Sequence, residues 1–135
     1  MPFEMPQKVL FKHCDPAGIV FYPRYFEMIN DCVEVFFDRQ LGVPFEVLLR
    51  NGGVPTAEIT SKFHAPSRHG DMLVLALAPL RLGRSSFTLT VTATCGEEAR
   101  FTAKSTLVYI NPEGRAAPWP DAIRTPLAAF TGENP

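Results

Sequence analysis

Asp15 stands in the run Phe11-Lys12-His13-Cys14-Asp15-Pro16-Ala17-Gly18-Ile19-Val20-Phe21-Tyr22-Pro23-Arg24-Tyr25-Phe26, which places a carboxylate in a Pro/Gly loop just ahead of a long apolar helical pattern. A helix start leaves backbone N–H groups without intrahelical acceptors, and the helix dipole adds roughly half a positive charge at that end. Such donors stabilise negative charge developing on a carbonyl oxygen. A carboxylate beside them can attack the carbonyl carbon or activate a water to do so. The segment is therefore a candidate site for acyl transfer. Pro16 directs Asp15 into extended backbone, and Gly18 permits a sharp return or the close approach of a ligand. Pro23 suits the first helical position and has no N–H, so the expected donors are the amides of Tyr22, Arg24 and Tyr25. By residue type alone, the plainer role for Asp15 is to cap a turn or the helix.

These residues need elements to hold them. Gln7–Lys12, with Val9 and Phe11 on one side, predicts a short strand ahead of the loop. From Pro23 to Leu41, Tyr22, Tyr25, Phe26, Ile29, Val33, Phe36, Phe37 and Leu41 recur at helical spacing, and Met28, Cys32 and Val35 widen that face. Glu27, Asp31, Glu34 and Asp38 form one narrow polar stripe, so the helix is expected to be mostly buried. Gly42 suits a residue just past its end. Pro44–Arg50 predicts a helical turn ended by Asn51-Gly52-Gly53. Four strand patterns follow: Val54–Phe63, with Ala57, Ile59 and Phe63 on one side; Asp71–Leu80, apolar enough to be covered on both faces; Ser86–Cys95; and Ala99–Ile110. Arg81–Ser85 and Gly96–Glu98 read as hairpin connections. Asn111–Pro120 is Pro-rich and Asp121–Phe130 predicts a short terminal helix. Strand, long helix and meander together predict an α+β domain, an antiparallel sheet wrapped around one long central helix. A single layer leaves sheet edges free, which favours pairing with another subunit.

The totals agree with one such domain. The chain has 135 residues, 46% hydrophobic and 20% charged, with a net charge of −1. That suits a globular protein with a real core and gives no reason to expect nucleic acid or an anionic membrane as partner. Three cysteines, Cys14, Cys32 and Cys95, without CxxC spacing or a leader-like run, read as free thiols in a reducing cytoplasm. The longest apolar run, Met72–Leu80, is too short to span a bilayer.

Other residues carry weaker signals. His13, Cys14 and Asp15 are adjacent, which suits no single metal ion, and no further His/Cys pair has ligand spacing; no metal is expected. His13 is expected to shape the loop. His64 and His69 flank Pro66 in a turn near Arg68 and Gly70, where solvated histidines and a phosphate contact are both open. Cys14 has no base placed for it by sequence. Glu58 is an outside candidate for a second carboxylate. Arg81 and Arg84 are either hairpin charges facing solvent or phosphate contacts.

The run His13–Phe26, densest across Asp15-Pro16-Ala17-Gly18-Ile19-Val20 and continuing through Tyr22-Pro23 and Tyr25, resembles the hot-dog-fold acyl-CoA thioesterases of the 4-hydroxybenzoyl-CoA thioesterase type. Phe63-His64-Ala65-Pro66-Ser67-Arg68-His69-Gly70-Asp71 resembles that family's turn between strands, and the order of elements agrees over about residues 7–111. The resemblance implies one hot-dog thioesterase domain over residues 1–135, its core at about 7–111 and a Pro-rich tail at 112–135. It implies an acyl-CoA thioesterase, Asp15 as nucleophile or general base and the Tyr22 amide as oxyanion donor. The helix position that carries a carboxylate toward an aromatic acyl hydroxyl in close relatives is Asn30 here, with Asp31 beside it. The nucleotide cluster falls on Arg84, Ser85 and Ser86, with Arg81 nearby. His13, Gly18, His64 and Arg68 complete the expected substrate-binding set. No cofactor is expected, coenzyme A being part of the substrate. A cytoplasmic homodimer or homotetramer is expected, with no nucleic acid partner and no stable membrane insertion. The alternatives are a non-catalytic hot-dog binder of acyl-CoA or another small ligand, a hot-dog acyl-thioester dehydratase, for which the helix lacks a His, and an interaction module of an unrelated helix-on-sheet fold.

Overall fold

The computed structural model describes residues 1–132; the last three residues of the 1–135 domain and of its 112–135 tail lie outside the described residues. Five strands, β1 (Phe3–Lys8), β2 (Thr56–Phe63), β3 (Met72–Leu82), β4 (Ser86–Cys95) and β5 (Glu98–Val108), form one sheet in the order β1-β3-β4-β5-β2. Every neighbouring pair is antiparallel. Helix α1 (Pro23–Arg39) lies on one face, α2 (Phe45–Leu48) follows it, and α3 (Asp121–Thr131) closes the chain's described part. Among the described residues, no helix is long and apolar enough to cross a membrane.

The pattern of α1 becomes its packing. Tyr25, Met28, Ile29, Cys32, Val33, Phe36 and Phe37 are buried, while Glu27, Asp31, Glu34 and Asp38 face solvent. The sheet offers Leu73, Leu75, Leu77, Phe87, Leu89, Val91 and Phe101, each without exposed surface. Burying each such side chain contributes about 1.5–3 kcal/mol. Phe36 is the hub: its ring meets Phe3 of β1, Phe87 of β4, the adjacent Phe37 and Phe130 of α3. Cys32 lies in this apolar interior, where burial pushes its thiol up to about 12, so it is an inert filler. The core also takes in Trp119, Ile123, Leu127 and Ala128 from the segment after residue 111. At the C-terminus of α1 the chain turns through Gly42 at φ +72, with the Val43 N–H donating back to the Phe37 carbonyl at 2.9 Å.

Three expectations are corrected. The first strand is Phe3–Lys8, not Gln7–Lys12, and Phe11–His13 is a turn of 3-10 helix with Phe11 81% exposed. Pairing with β3 ends at Lys8 opposite Met72, and the His13 ring then closes the turn. Pro6 hides the strand from a sequence reading, yet an edge strand tolerates it. Second, β3 is covered on one face only: Leu73, Leu75 and Leu77 are buried, but Met72, Val74 and Leu80 face solvent, because α1 packs on one side of the sheet. Third, β2 alternates in sequence but is exposed on both faces at every residue except the half-buried Ser61. It lies at the sheet edge beyond the reach of most of α1.

One ionic cluster ties the far turn to the sheet. Arg100 on β5 is 9% exposed, and its Nη1 donates to Ser67 Oγ at 3.0 Å and to Asp71 Oδ2 at 2.7 Å. Glu98 Oε1 lies 2.7 Å from Nε, although Nε makes no aligned hydrogen bond. The Arg100 carbonyl accepts the N–H of His64 at 2.8 Å. The Arg100 hydrogen bond, with one from the Arg68 N–H, holds the Asp71 carboxyl below its ordinary 3.8. A depressed carboxylate contributes stability above its unfolded pKa and loses it as pH falls through the folded one. Asp71→Asn is therefore expected to cost about 1–2 kcal/mol at pH 7. The difference from the native chain should shrink as pH drops below about 4, read by urea denaturation at pH 7 and pH 3.

Candidate active site

The Asp15 segment folds as a closed turn. The Asp15 N–H donates to the Ile19 carbonyl at 2.9 Å, the Gly18 N–H to the Asp15 carbonyl at 2.9 Å, and the Phe21 N–H to the His13 carbonyl at 2.9 Å. Gly18 sits at φ +81 with nothing within 4 Å of where a Cβ would lie. It is needed for backbone conformation, and the space above it is open. Asp15 Oδ1 accepts the Ala17 N–H at 2.9 Å, so the capping role is filled by one oxygen. Among the described residues Oδ2 has no hydrogen-bond partner, and the side chain is half-buried.

The three amides expected at the helix start separate. The Arg24 N–H is taken by the Phe21 carbonyl at 2.8 Å and the Tyr25 N–H by the Tyr22 carbonyl at 3.1 Å. Such short bonds tighten a first helical turn. Tyr22 immediately precedes Pro23, the first residue of α1. Its N–H alone of the three is without an acceptor among the described residues. This corrects the expectation of three free donors to one.

His13 is 5% exposed, and its Nδ1 accepts the Leu10 N–H at 2.9 Å. Burial, chiefly, and the Lys12 and Arg24 charges lower its pKa below 6.5, against the opposing pull of Glu27 and Asp31. An Nδ1 that accepts cannot carry a proton, so the neutral ring is the Nε2–H tautomer. His13 thus braces the turn before Asp15. Its neutral-state stabilisation is present above 6.5 and lost as pH falls through the lowered folded pKa. Nitrogen-15 NMR should show the Nε2–H tautomer at pH 7 and a titration midpoint below 6.5.

Aromatic rings line the space beyond the helix start. Phe63, the last residue of β2, stacks on Tyr25 at 5.6 Å and meets Tyr22 and Phe26 edge-on at 6.2 and 6.3 Å. On one side of Phe63 lies an open basin of about 310 Å³ bordered by Ile19, Tyr22, Tyr25 and His64. Farther along α1, between it and β2, lies a narrower cleft of about 230 Å³ lined by Phe26, Asn30, Val33, Ile59 and Ser105, among others. Phe63 and Ser105 carry no functional signal in the sequence; their meeting with α1 is made by tertiary contact alone.

The remaining candidates divide. Asn30 is exposed on α1 and borders the cleft. His64 borders the basin, while its Nε2 lies 3.0 Å from Thr102 Oγ1. Arg68 is exposed, and its N–H donates to Asp71 Oδ2 at 2.9 Å; the carbonyl of Ser67 beside it accepts the Val20 N–H at 2.8 Å. Arg84, Ser85 and Ser86 are not brought to the site within one chain. Their hairpin lies beside Phe87, paired with Leu107, whereas Tyr25 packs on Phe101; six residues of strand separate these levels, roughly 20 Å. Glu58 pairs with Thr106, on the strand positions alternate to Ile59 and Phe63. Cys14 Sγ points to the Leu10 carbonyl at 3.7 Å. No cluster of three or more His, Cys, Asp or Glu suited to a metal occurs among the described residues.

Residues 9–127 match the sequence profile of the Thioesterase-like superfamily. The chain belongs to that superfamily. Over 88 residues it is 35% identical to the 1,4-dihydroxy-2-naphthoyl-CoA hydrolase of Thermosynechococcus vestitus, covering 62% of this chain and 58% of that relative's length. The match therefore spans less than two thirds of that relative. Among solved structures, the gentisyl-coenzyme A thioesterase BH1999 superposes with a TM-score of 0.86 at 27% identity over 93% of this chain and 100% of its own. The 1,4-dihydroxy-2-naphthoyl-CoA thioesterase Slr0204 from Synechocystis superposes with a TM-score of 0.86 over 95% of this chain and 96% of its own, at 20% identity, a likeness of fold. The architecture is the hot-dog fold, an α+β arrangement with the antiparallel sheet around a long helix. This superfamily member thus carries a carboxylate turn that leads into a helix start whose Tyr22 amide is free among the described residues, beside an aromatic-bordered basin.

Proposed function

We propose that this protein hydrolyses an acyl-CoA thioester to the free acid and coenzyme A. The observation that carries the reading is the unpaired Tyr22 amide at the start of α1, in a chain whose Asp15 turn leads directly into it. A thioester oxygen accepting from that N–H gains a donor and the positive end of the helix dipole as negative charge develops. Asp15 Oδ2 then attacks the carbonyl carbon, expelling the CoA thiolate before water cleaves the acyl-aspartyl bond, or takes a proton from a water that attacks instead. Neither route calls for a metal or redox cofactor. The named relatives act on hydroxylated aromatic acyl groups, which supports an aromatic acyl group here, with Asn30 at its pocket. Three free cysteines suit a cytoplasmic protein.

The substrate's nucleotide would extend away from this centre, and Arg84 sits at the other end of the sheet. Contact with Arg84, Ser85 and Ser86 calls for a fully extended coenzyme A along one chain or for the hairpin of a second subunit, and a homodimer supplies the latter. The free edge of β2, with exposed Ile59 and Phe63, suits antiparallel pairing with its counterpart in a homodimer. Ile59→Lys is expected to shift sedimentation from dimer toward monomer, while Leu80→Lys on the outer face of β3 should not; a native chain that sediments as a monomer rules this assembly out.

Asp15→Asn should keep its thermal midpoint within a few degrees and lose about 10²–10⁴-fold in turnover, measured as thiol release from aromatic and aliphatic acyl-CoAs. A folded Asp15→Asn variant with undiminished turnover would remove Asp15 from the mechanism. Binding of acyl-CoA with no turnover by the native chain would favour the non-catalytic binder.

A further inference from the structure

Every inward position of β4 and β5 along the core is apolar except one. Phe87, Leu89, Val91 and Ala93 on β4, and Phe101, Ala103 and Leu107 on β5, are at most 2% exposed. Ser105 interrupts the series, between Leu89 on one side and Ile59 on the other. It is 3% exposed, and its hydroxyl has no hydrogen-bond partner among the described residues. It lines the cleft between α1 and β2. The Ser105 oxygen is not fully enclosed, since Arg100 Nε alone is both fully buried and unpaired among the described residues; it is reached from the cleft, where water, or a ligand group that displaces the water, supplies the bond. Asn30 and Thr56, the other polar residues lining the cleft, are exposed to water, whereas Ser105 is reached only from within the cleft's apolar wall.

We infer that Ser105 is a specificity-determining residue, whose hydroxyl hydrogen-bonds a polar group at the distal end of an elongated acyl chain lodged in this cleft. The inference rests on the thioesterase reading. Its length argument is geometric. Ser105 lies four residues beyond Phe101 on β5, roughly 13 Å along the strand. On the helix side the cleft runs from Phe26 to Val33, four to eleven residues past Tyr22, about 6 to 16 Å along the axis. An acyl group bound by its carbonyl at the Tyr22 amide must therefore extend past a single ring to meet Ser105. Two fused rings, or a ring on a short chain, with a hydroxyl or carbonyl at the far end fit this description. The walls, Phe26, Ile29, Val33 and Phe45, favour a flat apolar body.

The test compares 6-hydroxy-2-naphthoyl-CoA with 2-naphthoyl-CoA, by kcat/KM for thiol release, in the native chain, Ser105→Ala, and the isosteric pair Ser105→Thr and Ser105→Val. The native chain is expected to prefer the hydroxylated substrate. That preference should fall roughly three- to tenfold in Ser105→Ala and Ser105→Val and survive in Ser105→Thr, all three having thermal midpoints near the native one. A preference unchanged in Ser105→Ala and Ser105→Val overturns the inference, as does equal loss on both substrates. If Ser105→Ala fails to fold, the equal-volume Thr and Val pair decides. A native chain that releases thiol from neither substrate refutes the thioesterase reading instead. Calorimetric binding of 6-hydroxy-2-naphthoate and 2-naphthoate to the native and Ser105→Ala chains then judges the pocket by the same ratio.

Discussion

Burial of the apolar face of α1 against the inner face of the sheet is the interaction on which the site depends. Phe36 anchors the helix through rings on β1, β4 and α3, and Tyr25 fixes its first turn on Phe101 of β5. A helix held at both ends cannot slide without opening a cavity among Phe36, Phe37 and Phe87, at several kcal/mol. The position of the Tyr22 amide is thereby set by packing some distance from any chemistry. An N–H held in place by packing is what the proposed oxyanion role would require.

The carboxylate is located by a different means, a relay of hydrogen bonds. Arg100 grips Ser67 and Asp71; Ser67 holds the Val20 amide; Cys14 and Val20 bridge across the base of the Asp15 turn. His13 closes the other side of that turn through Leu10. Rigid packing places one half of the site, and polar fastening at the sheet's end places the other. Phe63 is stacked on Tyr25 at the rim of the basin and touches Phe26, which lines the cleft.

Legibility follows the range of the interactions. The helix from Pro23 is readable because its seven buried residues recur at a spacing set by local geometry, and the last three strands because short turns make hairpin neighbours. The first strand is misplaced by a sequence reading because Pro6 argues against a strand unless the strand is known to be an edge, a fact of topology. The double burial expected of β3 fails because the apolar residues Met72, Val74 and Leu80 carry no mark of which face a helix will cover. At the site, Asp15, Gly18 and Tyr22 stand out by local chemistry, whereas Ser105 looks like any hydroxyl in a polar-alternating strand.

The sequence by itself determined the residue types of the turn, the start of the helix at Pro23, the α+β order of elements and the superfamily resemblance, since each rests on neighbours within a few positions. Only the three-dimensional structure decided that Tyr22, and neither Arg24 nor Tyr25, keeps a free amide, because that depends on the backbone angles of the entering turn, which bring the Phe21 and Tyr22 carbonyls onto Arg24 and Tyr25. It also decided that Arg84 lies at the opposite end of the sheet from Asp15, and that a single buried hydroxyl faces the cleft. The last two outcomes come from strand register and from α1 packing across β1, β4 and β5, contacts between residues remote in sequence that no local pattern encodes.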